Sequence, residues 1–465
     1  MPHFPGPCEA PHPANHIMAG PSLRLVHYHQ SRKHASQYMG AGWGACAGNR
    51  QGADDGGPTT AAASPGGAEA EQGTARMAGM PELAAHVRDV PINQIREITE
   101  AAWRTPGAVV LSIGEPGFPL PRHVLDAGIA CLDRDETNYT PNAGIPALRE
   151  AFAARFREEQ GVDVGAERVY VVSGAQQGLH FAMSLLLSPG DEVLIPNPGY
   201  PTFAMTGRLL NAVPVGYPLH PDHGFQPRVA DVEALITSRT RVLVLNSPSN
   251  PLGAVLSEDL VRELVELARR HDIWVISDEC YEAFTYDVPH VSPARFDGGT
   301  AEDARVFTSL TLSKTYGLTG LRIGALICPP GLGQKMDNVM ESIVSCVASA
   351  PQYAALAALT GPQEYVRHAH RHYRENRDAA SAVLAAKGIR YLPAQGAFYL
   401  WADMSHVTGG DVRSWVRRFL ADSGVALAPG TAFGSIGEGW VRIALCGRKQ
   451  DLLEGLSRLP AAGGR

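Results

Sequence analysis

Between residues 168 and 327, short and nearly continuous apolar runs alternate with segments whose apolar residues recur every three or four positions. The runs are 169–172, 192–196, 212–215, 241–245, 273–277, 305–312 and 322–327, and helical patterns cover 176–187 and 258–271. A strand that is apolar on both sides has to be covered on both sides. Strand–helix–strand repetition achieves this with a mostly parallel sheet between helix layers, an α/β architecture. Ligands of such sheets gather beyond the carboxyl ends of the strands. Ser173 and Gly174, Asn246, Asp278 and Lys314 each follow one of the runs, so these are the first candidates for chemistry.

Lys314 ends an apolar run on a hydroxyl- and glycine-rich turn, Ser313-Lys314-Thr315-Tyr316-Gly317. Loss of solvation there favours the neutral amine, which is the nucleophilic form. Eight residues on, Arg322 offers a planar fork suited to a phosphate. Ser173-Gly174-Ala175-Gln176 lies between a strand and a helix, where Ser173 serves either as an ordinary N-cap or as part of an anion cup with Thr311, Ser313 and Arg322. A buried Asp278 requires a cation or a protonated ring nitrogen. A metal shared with Glu279 and Glu282 is the competing use, but strand alternation sends Asp278 and Glu279 to opposite faces. Upstream, Gly114-Glu115-Pro116-Gly117-Phe118-Pro119 follows a short run, 109–113, and forms a fixed turn whose backbone can approach a ligand.

Flanking this core, helical patterns cover 92–102, 123–132, 145–160, 333–359 and 364–387, and short strands are expected over 391–393, 397–401 and 439–445. Residues 1–79 are rich in Gly, Ala, Pro, Ser and His and show no sustained period, so a disordered extension is expected. Its histidines, His3, His12, His16, His27, His29 and His34, have no ligand spacing, and Met77 or Met80 is a candidate start. The net charge of −7 argues against nucleic acid, and no apolar run is long enough for a membrane span. Seven scattered cysteines without a Cys-x-x-Cys pair fit a reducing, cytoplasmic setting.

In order along the chain, Asn197-Pro198-Gly199-Tyr200, Asn250-Pro251-Leu252-Gly253, Asp278-Glu279-Cys280-Tyr281, Ser313-Lys314, Arg322 and Gly439-Trp440-Val441-Arg442 resemble the class I/II aminotransferases of pyridoxal-phosphate fold type I. The resemblance covers about residues 81–465. It implies a large cofactor-binding domain over 121–345 and a smaller α+β domain formed by both chain ends, 80–120 and 346–465. It also implies an aminotransferase that moves the amino group of an L-amino acid to a 2-oxo acid in a ping-pong cycle.

By resemblance, Lys314 holds pyridoxal 5′-phosphate covalently and, once released by substrate, moves the proton at Cα. Asp278 would keep the ring nitrogen protonated. Asn250 and Tyr281 would bond the ring oxygen, and Tyr200 would stack on the ring. Gly174, Ala175, Gln176, Thr311, Ser313 and Arg322 would hold the phosphate, with Tyr139 reaching it from a second subunit of a homodimer. Arg442 would clamp the substrate carboxylate, with Gly114, Asn250 and Phe398 lining the substrate side. Phe398 reads equally as a plain core aromatic.

Two residues depart from the family pattern. Thr311 replaces the usual Ser or Gly but keeps a hydroxyl, and Leu252 replaces the commoner Thr. A C–S lyase or an aminocyclopropanecarboxylate-synthase-like enzyme would use nearly the same residues, and a non-catalytic effector-binding regulator would need a DNA-binding module that residues 1–79 do not suggest. No basic residue for a distal carboxylate is evident, so a broad or apolar and aromatic donor range is expected.

Overall fold

The computed structural model describes residues 81–298 and 304–462. The expectations for residues 1–79, including the six histidines and the alternative starts, lie outside the described residues.

The central element is a seven-stranded sheet. Its strands are β2 (Val169–Val172), β3 (Glu192–Asn197), β4 (Val213–Pro218), β5 (Thr240–Asn246), β6 (Trp274–Asp278), β7 (Val306–Thr311) and β8 (Gly324–Ile327), preceded in the chain by β1 (Val109–Val110). The order is β2-β8-β7-β6-β5-β3-β4. All neighbours run parallel except β8, which is antiparallel to both β2 and β7. The sheet is sealed on both sides, as the apolar runs require. In β5, Leu243 and Leu245 face a core with Leu264, Val265 and Val275, whereas Val242 and Val244 join Phe181, Ile276 and Phe307 in another.

The helix Glu258–Arg270 shows how its sequence fixes one such layer. Val261, Leu264, Val265, Leu267 and Ala268 are its buried stripe, and Ser257 caps it by accepting from the Leu260 N–H. Acidic Glu258 and Asp259 in its first turn and Arg269 and Arg270 in its last complement the helix dipole.

The second layer of organisation is a four-stranded antiparallel sheet ordered β12-β13-β10-β9. These strands are β9 (Tyr391–Leu392), β10 (Tyr399–Asp403), β12 (Ala428–Pro429) and β13 (Trp440–Ala444). Between β10 and β12 the chain adds β11 (Val425–Ala426), which pairs in parallel with β1. The two distant ends of the described chain are thereby joined.

Three local expectations are corrected. The helical region expected over 333–359 is two helices, Gly333–Ile343 and Ser349–Thr360, broken where Ser345 takes a φ of 59°. The strand expected from residue 322 begins at Gly324, because Arg322 itself occupies the left-handed region at φ 51°. Lys314 is carried not by the strand but by a one-turn helix, Leu312–Thr315, which the Thr311 hydroxyl caps by accepting from the Ser313 N–H at 3.2 Å.

Candidate active site

A cavity of about 580 Å³ opens beyond the carboxyl ends of β5, β6 and β7. The sheet registers explain why its polar residues converge. Asn246 lies opposite Asp278, and Asp278 opposite Ser309, so β5 and β6 end level and β7 runs two residues further, to Thr311. Because β8 runs the other way, its first residue Gly324 lies opposite Thr311 and Val172. Arg322, two residues before it, therefore sits at the same edge as Ser173 and Lys314. Of the residues singled out from sequence, Gly114, Ala175, Gln176, Tyr200, Asn250, Asp278, Tyr281, Thr311, Ser313, Lys314, Arg322 and Arg442 line this one cavity.

Lys314 Nζ donates to the Gly114 carbonyl at 2.8 Å, and burial holds its pKa below the ordinary lysine value. Asp278 is buried, and its Oδ1 accepts from the Cys280 N–H at 3.2 Å. Desolvation pushes its carboxyl up to about 6. Such a group is matched to a ligand that brings a cationic N–H. Glu279 turns away as strand alternation requires, taking His290 Nε2 at 2.8 Å and the hydroxyls of Ser277 and Ser292. Glu282 likewise points elsewhere, pairing with Arg155 at 3.2 Å. The three carboxylates share no common point for a metal.

The anion cup is built from backbone and one fork. Helix Ala175–Leu186 starts at this edge with no side-chain cap. Gly174 precedes it at φ 75°, and a Cβ there would meet Arg322 Nη2 at 2.7 Å, so glycine is what lets the fork close on the turn. Arg322 donates to the carbonyls of Thr319 (2.8 Å) and Ser173 (3.3 Å) and pairs with no carboxylate among the described residues. Gln176 Oε1 is buried here without a hydrogen-bond partner among the described residues. An uncapped helix end and a free guanidinium edge suit a phosphate.

Arg442 on β13 is 3% exposed. Its Nη1 donates to Asn250 Oδ1 at 2.7 Å and its Nη2 to the Ser112 carbonyl at 2.5 Å, while Nε has no partner among the described residues. The guanidinium lies 4.3 Å over the Tyr399 ring and 4.9 Å over the Phe433 ring. A buried arginine with no carboxylate partner among the described residues asks for an anionic ligand. Three features thus fit pyridoxal phosphate and an amino acid: a carboxyl for a ring nitrogen, a cup for a phosphate, and a fork for a carboxylate.

One expectation lands elsewhere. Phe398 does not line the cavity; it is fully buried among Tyr281, Phe284, Tyr373 and Tyr399. Alternation along the strand gives the neighbouring position, Tyr399, the site face instead, and its hydroxyl meets that of Tyr281 at 2.9 Å. Tyr139 is 92% exposed and outside the cavity lining of its own chain. Missed from sequence are Tyr399 and the wall from helix Gln94–Arg104, namely Ile95, Arg96, Thr99 and Trp103. The two-residue period of the strand puts Phe398 and Tyr399 on opposite faces but does not say which face meets the site. Nothing in the sequence of the helix points it at β6.

The family model for aminotransferase class I and II matches residues 106–459. Aspartate aminotransferase of Pyrococcus horikoshii is 34% identical over 384 residues, covering 82% of this chain and 97% of that protein. Aromatic-amino-acid aminotransferase 2 of Thermococcus litoralis is 33% identical over 371 residues, 79% of this chain and 94% of that one. The structure of Thermus thermophilus aspartate aminotransferase with maleate superposes with a TM-score of 0.77 at 34% identity, covering 82% of this chain and 99% of the other. The chain belongs to the class I and II aminotransferases, pyridoxal-phosphate-dependent enzymes that move amino groups between amino acids and 2-oxo acids.

Proposed function

We propose that this aminotransferase acts on L-amino acids with apolar or aromatic side chains, holding their carboxylate at Arg442, and that it works as a cytoplasmic homodimer. The observation that carries the carboxylate assignment is the buried, carboxylate-free guanidinium of Arg442, tied through Asn250 to the cofactor side of the cavity. Ile95, Trp103 and Leu179 add an apolar wall, which supports the donor class. The described cysteines, Cys131, Cys280, Cys328, Cys346 and Cys446, all stand free, consistent with a reducing compartment.

When bound, pyridoxal phosphate supplies the electron-accepting ring that stabilises negative charge at the substrate Cα. Asp278 would hold the ring nitrogen, and the cup of Gly174, Ala175, Gln176, Thr311, Ser313 and Arg322 would hold the phosphate. Asn250, whose Oδ1 is committed to Arg442, keeps its amide N–H groups for the ring oxygen, beside the Tyr281 hydroxyl. Tyr200, which lines the cavity, would pack against the ring. Arg442 fixes the substrate so that its Cα–H faces Lys314. Lys314, whose burial favours the neutral amine, would take the proton from the substrate Cα.

A donor panel tests this reading, with 2-oxoglutarate and pyruvate as acceptors and the absorbance of the bound cofactor as readout. Donor alone should discharge that absorbance in stoichiometric amount with release of the 2-oxo acid. Ammonia release instead would mean an eliminating lyase. Lys314→Ala should retain phosphate-anchored cofactor and lose turnover by several orders of magnitude; substantial transamination by this variant would end the assignment.

A further inference from the structure

We propose that Tyr399 is a positioning residue that links capture of the substrate carboxylate at Arg442 to the hydrogen bond Tyr281 gives the cofactor's ring oxygen. The proposal rests on the site assignment above. Tyr399 touches three parts of the site at once. Its hydroxyl lies 2.9 Å from that of Tyr281. Its ring carries the Arg442 guanidinium at 4.3 Å. Its hydroxyl also packs against Gly114, where an added Cβ would come within 2.0 Å of it, and the Gly114 carbonyl accepts from Lys314.

Strand geometry produces this meeting. In the β10–β13 pair Trp401 lies opposite Arg442, so Tyr399, two residues along, is the diagonal neighbour of Arg442 on the same face. Tyr281 comes to the same point from the turn after β6, and edge-on packing of its ring against Tyr399 and Phe398 holds it there.

Two buried hydroxyls at 2.9 Å share one proton between them, and the one that accepts keeps its own proton for a third group. The Arg442 guanidinium over its ring makes Tyr399 the more acidic of the two, and Tyr399 is therefore assigned as the donor of the shared hydrogen bond, which leaves the Tyr281 O–H for the cavity. Burial raises both, Tyr399 to about 12 and Tyr281 well above the ordinary tyrosine value, so both are neutral near neutral pH. Neutralising Arg442 with a carboxylate weakens donation by Tyr399 and hence by Tyr281.

The test is the pH titration of the visible absorbance of the bound cofactor in the holoenzyme, without substrate. A weaker donor leaves more negative charge on the ring oxygen, which holds the neighbouring proton more tightly. Tyr399→Phe should therefore raise the midpoint by roughly 0.5–1 pH unit, Tyr281→Phe by more, and the double variant by no more than Tyr281→Phe alone. Tyr399→Phe keeps the ring, so the donor KM should stay within about twofold, whereas Tyr399→Leu should raise it about tenfold. A Tyr399→Phe midpoint equal to that of the unaltered enzyme, or additive shifts in the double variant, would overturn the proposal. If the unaltered enzyme showed no such absorbance, the site assignment itself would fail, a result distinct from either.

Discussion

Asp278 sits in an environment that opposes stability when the cofactor is absent. Its carboxyl is pushed up to about 6 from an ordinary 3.8 by burial. The sign follows from proton counting. Between these two values the folded chain holds a proton that the unfolded chain has lost, so stability falls as pH rises through this window. The penalty is fully present above pH 6 and amounts to at most about 3 kcal/mol. Cofactor-free Asp278→Asn protein should therefore melt higher than the parent at pH 8, and the two melting curves should converge as pH falls towards 4. Its cofactor affinity should drop, since the amide cannot balance a protonated ring nitrogen. Equal pH dependence in both proteins, followed calorimetrically, would remove Asp278 as the source. Asp278 was legible from sequence because a carboxylate at the end of a five-residue apolar strand has no ordinary use. Tyr399 was not, because one aromatic in Gln395-Gly396-Ala397-Phe398-Tyr399 looks as apt as the next until the face of the strand is known.

At the scale of elements, sequence pattern carried the sheet well and its edges poorly. Apolar runs located every strand from β2 to β8, since burial on both faces leaves little choice of composition. The reversal of β8 was not legible: a buried strand reads the same in either direction. Yet that reversal is what brings Arg322 to the anion cup. Nor did the pattern show that helix Gln94–Arg104 walls the site, a placement that depends on pairing between β1 and β11 more than 300 positions away in sequence. Thr99 on this helix bonds the Ser112 hydroxyl at 2.8 Å, both side chains being buried, and the Ser112 carbonyl accepts from Arg442. Thr99→Val should cost about 1–2 kcal/mol by leaving the Ser112 hydroxyl without that partner. It should also raise the donor KM several-fold while the absorbance of the bound cofactor stays unchanged. A changed cofactor absorbance with an unchanged KM would mean that the helix serves the other side of the cavity.

At the scale of the molecule, the proposed homodimer turns on Tyr139, which lies outside the cavity lining of its own chain. That side chain projects from the loop between helices Arg122–Asp133 and Pro146–Gln160, 92% exposed, where an aromatic ring gains nothing by standing in water. A second subunit that receives Tyr139 at its phosphate cup accounts for both the exposure and the position. Subunit mixing distinguishes this from a role within the same chain. Lys314→Ala chains lack the reactive amine, and Tyr139→Phe chains lack only the donated hydroxyl. In a mixed homodimer with exchange across the two-fold axis, one site carries both changes and the other carries neither. Random mixing of equal amounts should then leave about a quarter of all sites intact. The mixture should then show about a quarter of the activity of the unaltered enzyme plus about a quarter of that of the Tyr139→Phe parent, a rise over both parents when the Tyr139→Phe parent keeps less than about a third of full activity, and the intact sites should show the cofactor affinity of the unaltered enzyme. If Tyr139 served its own chain, every site with Lys314 in the Tyr139→Phe subunit would stay impaired, and mixing would restore nothing.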